Sequence, residues 1–300
     1  MEIRLLEYFL AVAREQNITA AAESLHISQP ALSTQLKALE TELGKQLLIR
    51  GVKGSRKVIL TEEGMILRKR AEEMISLMRR TEEEITGVGE TIAGNVFIGT
   101  GETETVRLFA QVAKKLQQKY PDIRYHISSG NAEHVLEYLD KGLIDFGLMY
   151  GPVDRTKYEA LTLPIGDRFG VLMRRDDPLA QKEWISPEEL RDKPLILSAQ
   201  DRSEGWTVSS QIRQDVSHLN VAATYNLIFN ASLMVEEGLG YAVCLDKLIN
   251  TSGDSQLCFL PLRPEIVITP SIVWKRYQVF SKASERFLQE LTSVMDLPQK

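Results

Sequence analysis

Residues 17–40 constrain the fold more than any other segment, because they predict two short helices joined by a tight turn. Small apolar side chains recur on one face of the first helix. Ser28 and Pro30 then form a helix start in which a serine caps the first turn and a proline lies within it. Leucines spaced three and four residues apart predict the buried face of the second helix. The apolar positions are Ala21, Ala22, Leu25, Ile27, Leu32, Leu36 and Leu39.

The opposite face of the second helix carries polar side chains that can bind base edges and phosphates. A helix-turn-helix over residues 18–37 presents such a face to the major groove of DNA. On periodicity alone, an ordinary helical hairpin explains the pattern equally well. The candidate DNA contacts in this segment are Asn17, Thr19, Ser28, Gln29, Pro30, Ser33, Thr34 and Lys37.

A basic, glycine-punctuated turn at residues 51–57 lies between two apolar runs and predicts a small hairpin, the wing of a winged helix. The whole chain has a net charge of −5, whereas residues 1–60 carry eight Lys and Arg against six Glu. Since the acidic remainder cannot attract DNA, binding must rest on a local cluster of cations. A solvated loop is the alternative explanation. The candidate phosphate contacts are Arg50, Lys53, Arg56 and Lys57.

Residues 61–90 predict one long helix that begins with Thr61 as its N-cap and ends near Gly87 and Gly89. Its apolar residues alternate in steps of four and three, the heptad pattern of a dimerising helix. Such a dimer relates two recognition helices by a two-fold axis and predicts an inverted-repeat DNA site. A helix that packs on its own domain is the alternative. The predicted seam is Leu67, Ala71, Met74, Met78, Thr81 and Ile85.

From residue 91 the chain alternates between short apolar runs and amphipathic helices, which predicts parallel sheets with crossover helices. Strands are expected at residues 95–100, 123–128, 145–150, 169–173, 194–197, 221–224, 240–244 and 271–275. Helices are expected at residues 103–120, 132–141, 208–216, 231–237 and 281–295.

Polar residues follow three of these predicted strands. Ligands of open parallel sheets bind beyond the carboxyl ends of strands, next to helix N-termini, so these residues predict a small-molecule site. Ordinary helix capping is the alternative for each Ser or Thr taken singly. Glu102 and Glu104 offset the helix dipole here and leave the sign of the ligand's charge open. The candidate contacts are Thr100, Gly101, Glu102, Thr103, Ser128, Ser129, Ser198, Ala199 and Gln200.

The amino-terminal segment resembles the DNA-binding domain of the LysR-type transcriptional regulators. The resemblance rests on Leu6, Phe9, Ala13, Ala21, Ala22, Leu25, Ser28, Gln29, Pro30, Ser33, Leu39, Glu40, Leu43, Gly44, Leu47, Arg50, Leu60, Thr61 and Gly64. Thr34 departs from the family pattern, since many members carry Arg there, and this leaves the target sequence open. Leu48 and Ile49 replace a step that commonly bears Phe, which touches only packing.

Residues 142–148, 177–179 and 236–241 extend the resemblance to the effector-binding domain of the same family, which is similar to periplasmic solute-binding proteins. The resemblance implies an all-α winged helix-turn-helix domain, a linker helix and an α/β effector domain of two subdomains. The domains would be residues 1–60, 61–90 and 91–300, with subdomain I at about 91–160 and 267–300, subdomain II at about 161–266, and chain crossings near 151–163 and 262–270.

The resemblance also implies function and partners. We expect a bacterial regulator that binds double-stranded DNA as a homodimer through its linker helix, assembles into a homotetramer and responds to a small-molecule effector of unknown identity. A contact with RNA polymerase is compatible with this role. The sequence shows no export signal and no apolar run of about 18 residues, so a soluble cytoplasmic protein without a membrane partner is expected. Scattered histidines and two cysteines in apolar surroundings predict neither a metal site nor a cofactor.

An α/β enzyme that uses a nucleotide or another metabolite is the main rival. Gly99 and Gly101 follow a predicted strand as in a phosphate-binding loop, but Glu104 stands where a third glycine is required. No Ser/His/Asp, Cys/His or paired-carboxylate pattern emerges, which disfavours catalysis. A pure solute-binding protein is a third possibility, and the missing export signal disfavours it.

Overall fold

The structure, a computed structural model, describes residues 1–51, 57–86, 92–199 and 219–295 of the 300-residue chain. The chain divides into two compact units, Met1–Val88 and Gly89–Lys300. Each unit has its own hydrophobic core.

In its described residues, the first unit contains four helices and a two-stranded hairpin. The elements are α1 (Ile3–Glu15), α2 (Ile18–Ser24), α3 (Gln29–Leu43), β1 (Leu48–Arg50), β2 (Val58–Leu60) and α4 (Glu62–Thr86). The hairpin is antiparallel, with Leu48 opposite Leu60 and Arg50 opposite Val58. The predicted helix-turn-helix, wing and long helix are confirmed.

The core of the first unit forms where α1, α2 and α3 meet the wing. Leu32 and Leu39 have no exposed surface and Leu36 is 1% exposed, so the predicted leucine face of α3 is confirmed. Full burial of a side chain of this size stabilises a fold by about 1.5–3 kcal/mol. Leu48 and Val58 join the same core, which holds the wing against the helices.

The start of α4 is tied to the wing by Thr61. Its hydroxyl donates to the Gln46 carbonyl at 2.8 Å and accepts from the Gly64 amide at 3.0 Å. This confirms Thr61 as the N-cap of the helix. Gly64 is needed here because a Cβ atom would lie 2.2 Å from the Leu47 carbonyl oxygen.

The second unit is built on two mixed sheets. The first contains β3 (Gly94–Thr100), β4 (Ile123–Ser129), β5 (Phe146–Tyr150), β6 (Tyr158–Thr162) and β13 (Pro270–Lys275), in the order β4-β3-β5-β13-β6. The second contains β7 (Asp167–Arg174), β8 (Leu195–Ser198), β9 (Val221–Tyr225), β10 (Tyr241–Leu245) and β11 (Leu257–Pro261), in the order β11-β7-β10-β8-β9. A short strand, β12 (Val267–Ile268), also pairs with β7.

Besides two short 3₁₀ helices, Pro178–Gln181 and Pro187–Leu190, four α-helices of this unit lie in its described residues. They are α5 (Val106–Lys119), α6 (Ala132–Asp140), α7 (Ile228–Glu236) and α8 (Lys282–Met295). Phe287 of α8 packs edge-on against Phe109 of α5 at 5.8 Å between ring centroids and lies 5.6 Å from Phe146 of β5. These aromatic contacts join two helices to the first sheet.

The predicted parallel pairing is present in both sheets, but each sheet also contains antiparallel pairs of strands, which were not predicted. β3 is parallel to β4 and β5, and β8 is parallel to β9 and β10, but β13 runs antiparallel to β5 and β6, and β7 runs antiparallel to β10, β11 and β12. The strands β6, β11 and β12 were not predicted. Residues 151–163, expected as a crossing, contain β6 because it pairs with a strand more than 100 residues away. The helix expected at 208–216 lies outside the described residues.

The sequence motif at residues 142–148 has an architectural role. Asp145 is buried, and its carboxylate accepts from the Phe97 amide of β3 at 2.8 Å and from the Ser284 hydroxyl of α8 at 3.0 Å. At Gly147, a Cβ atom would lie 2.5 Å from a Val135 methyl group of α6. The motif therefore joins β5 to its neighbouring strand and helices.

Candidate DNA-binding surface and effector site

The amino-terminal end of α3 is exposed and is capped by the side chain of Ser28. The Ser28 hydroxyl accepts from the Ala31 amide at 3.3 Å, and Pro30 occupies the second helical position. Gln29 and Pro30 are exposed beside it. Because a helix N-terminus carries partial positive charge, this end suits contact with a nucleic-acid phosphate. The Asn17 side chain caps α2 in the same way, accepting from the Thr19 amide at 2.9 Å.

The polar face of α3 lies opposite its buried leucines. Thr34 and Lys37 are exposed and Ser33 is half-buried. The Thr34 hydroxyl donates back to the Pro30 carbonyl at 2.9 Å, which leaves its oxygen able to accept a further hydrogen bond. The predicted face thus offers hydroxyl groups and one long cation to a groove.

Glu40, near the end of α3, holds the wing in place. Its Oε1 atom accepts from the Leu47 amide at 2.9 Å and from the Leu48 amide at 3.1 Å, while Oε2 lies 3.4 Å from the Arg50 guanidinium. Arg50 is therefore positioned by its own chain at the foot of the wing. Of the other predicted cations, Lys57 is exposed, and Lys53 and Arg56 lie outside the described residues.

Part of the predicted dimer seam on α4 packs against another helix of the same chain. Ala71 has no exposed surface, and it packs with Leu67, Met74 and Ile75 against Leu6 and Leu10 of α1. The alternative of a helix that packs on its own domain therefore holds for this half of the seam. Further along, Met78 is half-buried, Thr81 is exposed and Ile85 is 68% exposed.

In the second unit, predicted ligand residues lie at the carboxyl ends of paired strands. Thr100 of β3 lies opposite Ser129 of β4, and Gly99 lies opposite Ser128. Ser128 is half-buried, and Ser129 is exposed. Ser198 ends β8 of the other sheet and Ala199 follows it, whereas residue 200, the predicted Gln200, lies outside the described residues.

Two of the predicted hydroxyl groups already have partners inside the chain. Thr100 is 1% exposed and donates to the Gly101 carbonyl at 2.9 Å. Thr103 is 7% exposed and donates to the Asp167 carboxylate at 2.7 Å. Because Thr100 and Thr103 are buried, the predicted ligand contacts that remain accessible at this end of the first sheet are Gly101, Glu102, Ser128 and Ser129.

Asp167 accepts from three hydroxyl groups, two on the turn after β3 and one at the end of β5. Besides Thr103, the buried Thr105 donates to it at 3.0 Å, and the Tyr150 hydroxyl contacts the same oxygen and lies 2.7 Å from the Thr103 hydroxyl. Burial, together with the adjacent Asp167 charge, raises the pKa of Tyr150 well above its ordinary value. The network joins the turn after β3 to the end of β5 and the start of β7. The helix expected from Thr103 begins at Val106.

A second contact joins the same turn to the second sheet. The Glu102 carboxylate accepts from the Ile228 amide, the first residue of α7, at 2.5 Å. Neither this pair nor the Asp167 network was predicted, because the partners lie far apart in sequence. The one available signal was the pair of acidic residues at a helix start, which left the sign of the ligand's charge open.

The rival chemistries find little support in the geometry. Gly99 is a packing residue, since a Cβ atom would lie 2.6 Å from a methyl group of Ile144. In the part of the chain that the structure describes, no three His, Cys, Asp or Glu residues cluster as metal ligands. None of the described helices is both long enough and apolar enough to cross a bilayer.

Comparison with known proteins agrees with both units. Residues 3–65 match the family model "Bacterial regulatory helix-turn-helix protein, lysR family", and residues 89–296 match "LysR substrate binding domain". The chain is 28% identical over 269 residues to the uncharacterized HTH-type transcriptional regulator YvbU of Bacillus subtilis, covering 90% of this chain and 87% of that protein. It is 29% identical over 283 residues to the hydrogen peroxide-inducible genes activator of Dickeya chrysanthemi, covering 92% and 90%.

A solved structure shares the fold over nearly the whole chain. Full-length CbnR complexed with its target DNA matches with a TM-score of 0.75 at 19% identity, covering 98% of this chain and 99% of that one. The family consists of transcriptional regulators and not of enzymes, which sets the enzyme hypothesis aside. The chain belongs to the LysR-type transcriptional regulators.

Proposed function

We propose that this regulator binds an inverted-repeat DNA site as a dimer and that a small molecule bound between its two α/β sheets sets its activity. The observation that carries the DNA role is the exposed, capped start of α3, with Thr34 and Lys37 on the face opposite the leucine core. Base contacts would come from Gln29, Ser33 and Thr34. Arg50, Lys53, Arg56 and Lys57 would bind the phosphate backbone.

Exposed apolar residues on α4 support a dimer. Ile66 is 66% exposed, Leu77 is 37% exposed and Ile85 is 68% exposed. At 100° per residue, Ile66 and Leu77 lie beside the face that packs on α1, and Ile85 lies in line with Leu67 of that face, 18 residues further along α4. A second copy of α4 would cover them. We assign the dimer seam to these three residues together with Met78 and Thr81. In the same proposal, the protein forms a tetramer and contacts RNA polymerase in the cytoplasm.

The effector would bind where the two sheets approach each other. Gly101, Glu102, Ser128 and Ser129 from the first sheet, and Ser198, Ala199 and Gln200 from the second, form the proposed contact set. Strand ends and helix starts of this kind are the usual ligand positions of α/β sheets. A ligand that contacts both sheets would bias their relative orientation and, through it, the DNA-bound state.

The signal is proposed to be a bound molecule and not an oxidised thiol, although some relatives are named as hydrogen peroxide-inducible activators. Cys244 is 3% exposed, and burial raises its pKa to about 12. Burial also raises the pKa of Cys258. The two lie on β10 and β11, on either side of β7, opposite Gly170 and Met173. Two strand spacings are about 10 Å, more than the roughly 7 Å that a disulfide can span between Cα atoms.

Gel retardation with the DNA upstream of the chain's own gene tests this function. The proposal expects a sequence-dependent complex whose affinity falls steeply with salt, because cations on α3 and the wing release counterions from DNA. No specific shift at any protein concentration up to about 1 μM would contradict it. The same gel compares binding of the wild-type protein to the upstream DNA with its binding to a competitor DNA of scrambled sequence.

A further inference from the structure

Helix α7 begins without a cap from its own segment. Its N-cap position is Leu227, whose side chain cannot accept a hydrogen bond. The first amides of a helix have no partner within the helix, so an acceptor must come from elsewhere. Here the acceptor is the Glu102 carboxylate, 126 residues away in sequence and on the turn that follows β3 of the other sheet.

The position of Glu102 is set by its neighbours. Thr103 and Thr105 hold the turn against Asp167 through two hydroxyl hydrogen bonds of 2.7 Å and 3.0 Å. The nearby acid Glu104 instead pairs with Arg107 of α5 at 2.5 Å. Of these two carboxylates, Glu102 is therefore the one that contacts α7.

We propose that Glu102 is a built-in latch: it caps α7 from across the effector cleft and so holds the two sheets together when no effector is bound. An effector that inserts between the sheets must break or replace this hydrogen bond, which makes the latch part of the switch. This regulatory meaning rests on the proposed effector site. The hydrogen bond between Glu102 and the Ile228 amide can be measured without effector or DNA.

Amide hydrogen exchange of the full-length protein tests the latch at the Ile228 amide. Glu102→Ala removes the acceptor, and Glu102→Asp keeps the charge but shortens the side chain by one methylene group. In both variants we expect the Ile228 amide to exchange about tenfold faster than in the wild type. Glu102→Gln keeps a neutral acceptor of the same length and should give an intermediate rate. Glu104→Ala, which removes the neighbouring carboxylate, is the matched control and should leave Ile228 unchanged.

A second readout follows the separation of the sheets. Spin labels at the exposed positions Gln118 on α5 and Glu237 after α7, in a Cys258→Ser background, should give a broader distance distribution when Glu102 is replaced by Ala. Unchanged exchange at Ile228 together with an unchanged distance distribution would overturn the proposal. If the alanine variant does not fold, the Asp and Gln variants decide. Absence of a specific DNA complex in the gel would contradict the proposed function but would not affect the exchange result at Ile228. The two proposals are therefore tested independently.

Discussion

The Glu40 carboxylate accepts a hydrogen bond from the Leu47 amide at 2.9 Å, and this bond fixes the path of the chain from the recognition helix into the wing. The same carboxylate also contacts the Leu48 amide and the Arg50 guanidinium. One acidic residue therefore fixes both the start of the wing and the position of a cation within it.

Glu40→Ala should weaken both folding and DNA binding. The substitution leaves two partly buried amides without an acceptor, which costs about 1–3 kcal/mol of the unfolding free energy of the first unit. Chemical denaturation measures this loss, and gel retardation measures the affinity. Glu23→Ala, at an exposed position on α2, is the control. An alanine variant with wild-type stability and affinity would show that Glu40 does not brace the wing.

Lys37→Ala should reduce the dependence of DNA affinity on salt. If Lys37 contacts one phosphate, the slope of log affinity against log salt concentration falls by about 0.9. Fluorescence anisotropy with labelled duplex over a series of salt concentrations provides the measurement. Lys114→Ala, at an exposed position on α5 in the other unit, is the control. An unchanged slope would place Lys37 away from the phosphates.

How far the fold could be predicted depends on how local its causes are. The cap at Ser28, the cap at Thr61 and the leucine face of α3 involve residues three or four positions apart, and the sequence pattern was sufficient for them. The pairing of β6 with β13 brings Leu161 opposite Ile272, and no local pattern encodes such a partner.

The candidate sites follow the same rule. The heptad pattern of α4 identified a buried face, but periodicity does not say which helix covers it, and α1 covers Leu67 and Ala71. Likewise, the sequence predicted hydroxyl groups at strand ends, but the Thr103 hydroxyl donates its hydrogen bond to the carboxylate of Asp167, 64 residues later in the chain. Burial of the Thr100 and Thr103 side chains could be known only from the three-dimensional packing.

The buried Tyr150 predicts a loss of stability at alkaline pH. Its pKa is raised in the folded protein, mainly by burial, so above about pH 10 the unfolded chain loses the phenolic proton while the folded chain keeps it. The unfolding free energy should therefore fall as the pH rises through this range. The raised pKa values of Tyr125 and Tyr158, each about 12, act in the same direction.

Tyr150→Phe should make that alkaline fall shallower. Denaturant unfolding between pH 8 and about pH 11 gives the slope, and the same substitution at Tyr277, which is 89% exposed, is the control. A slope identical to that of the wild type would mean that Tyr150 ionises equally in the folded and unfolded states.

Hydrogen peroxide should not change DNA binding through the two cysteines. Cys244 is buried, and the strand register keeps Cys258 too distant for a disulfide. Gel retardation before and after peroxide treatment, with wild type and Cys258→Ala in parallel, measures any response. A peroxide-dependent shift that the Cys258→Ala substitution abolishes would point to a thiol switch.

Hydroxyl-radical footprinting on the upstream DNA of the chain's own gene tests the central claim most directly. A dimer that presents two copies of α3 across a two-fold axis should protect two half-sites of inverted sequence, separated by about 10 base pairs or a multiple of that distance. Lys37→Ala should weaken protection in both half-sites equally. A single protected patch without dyad symmetry, or uniform protection of any sequence, would contradict the account.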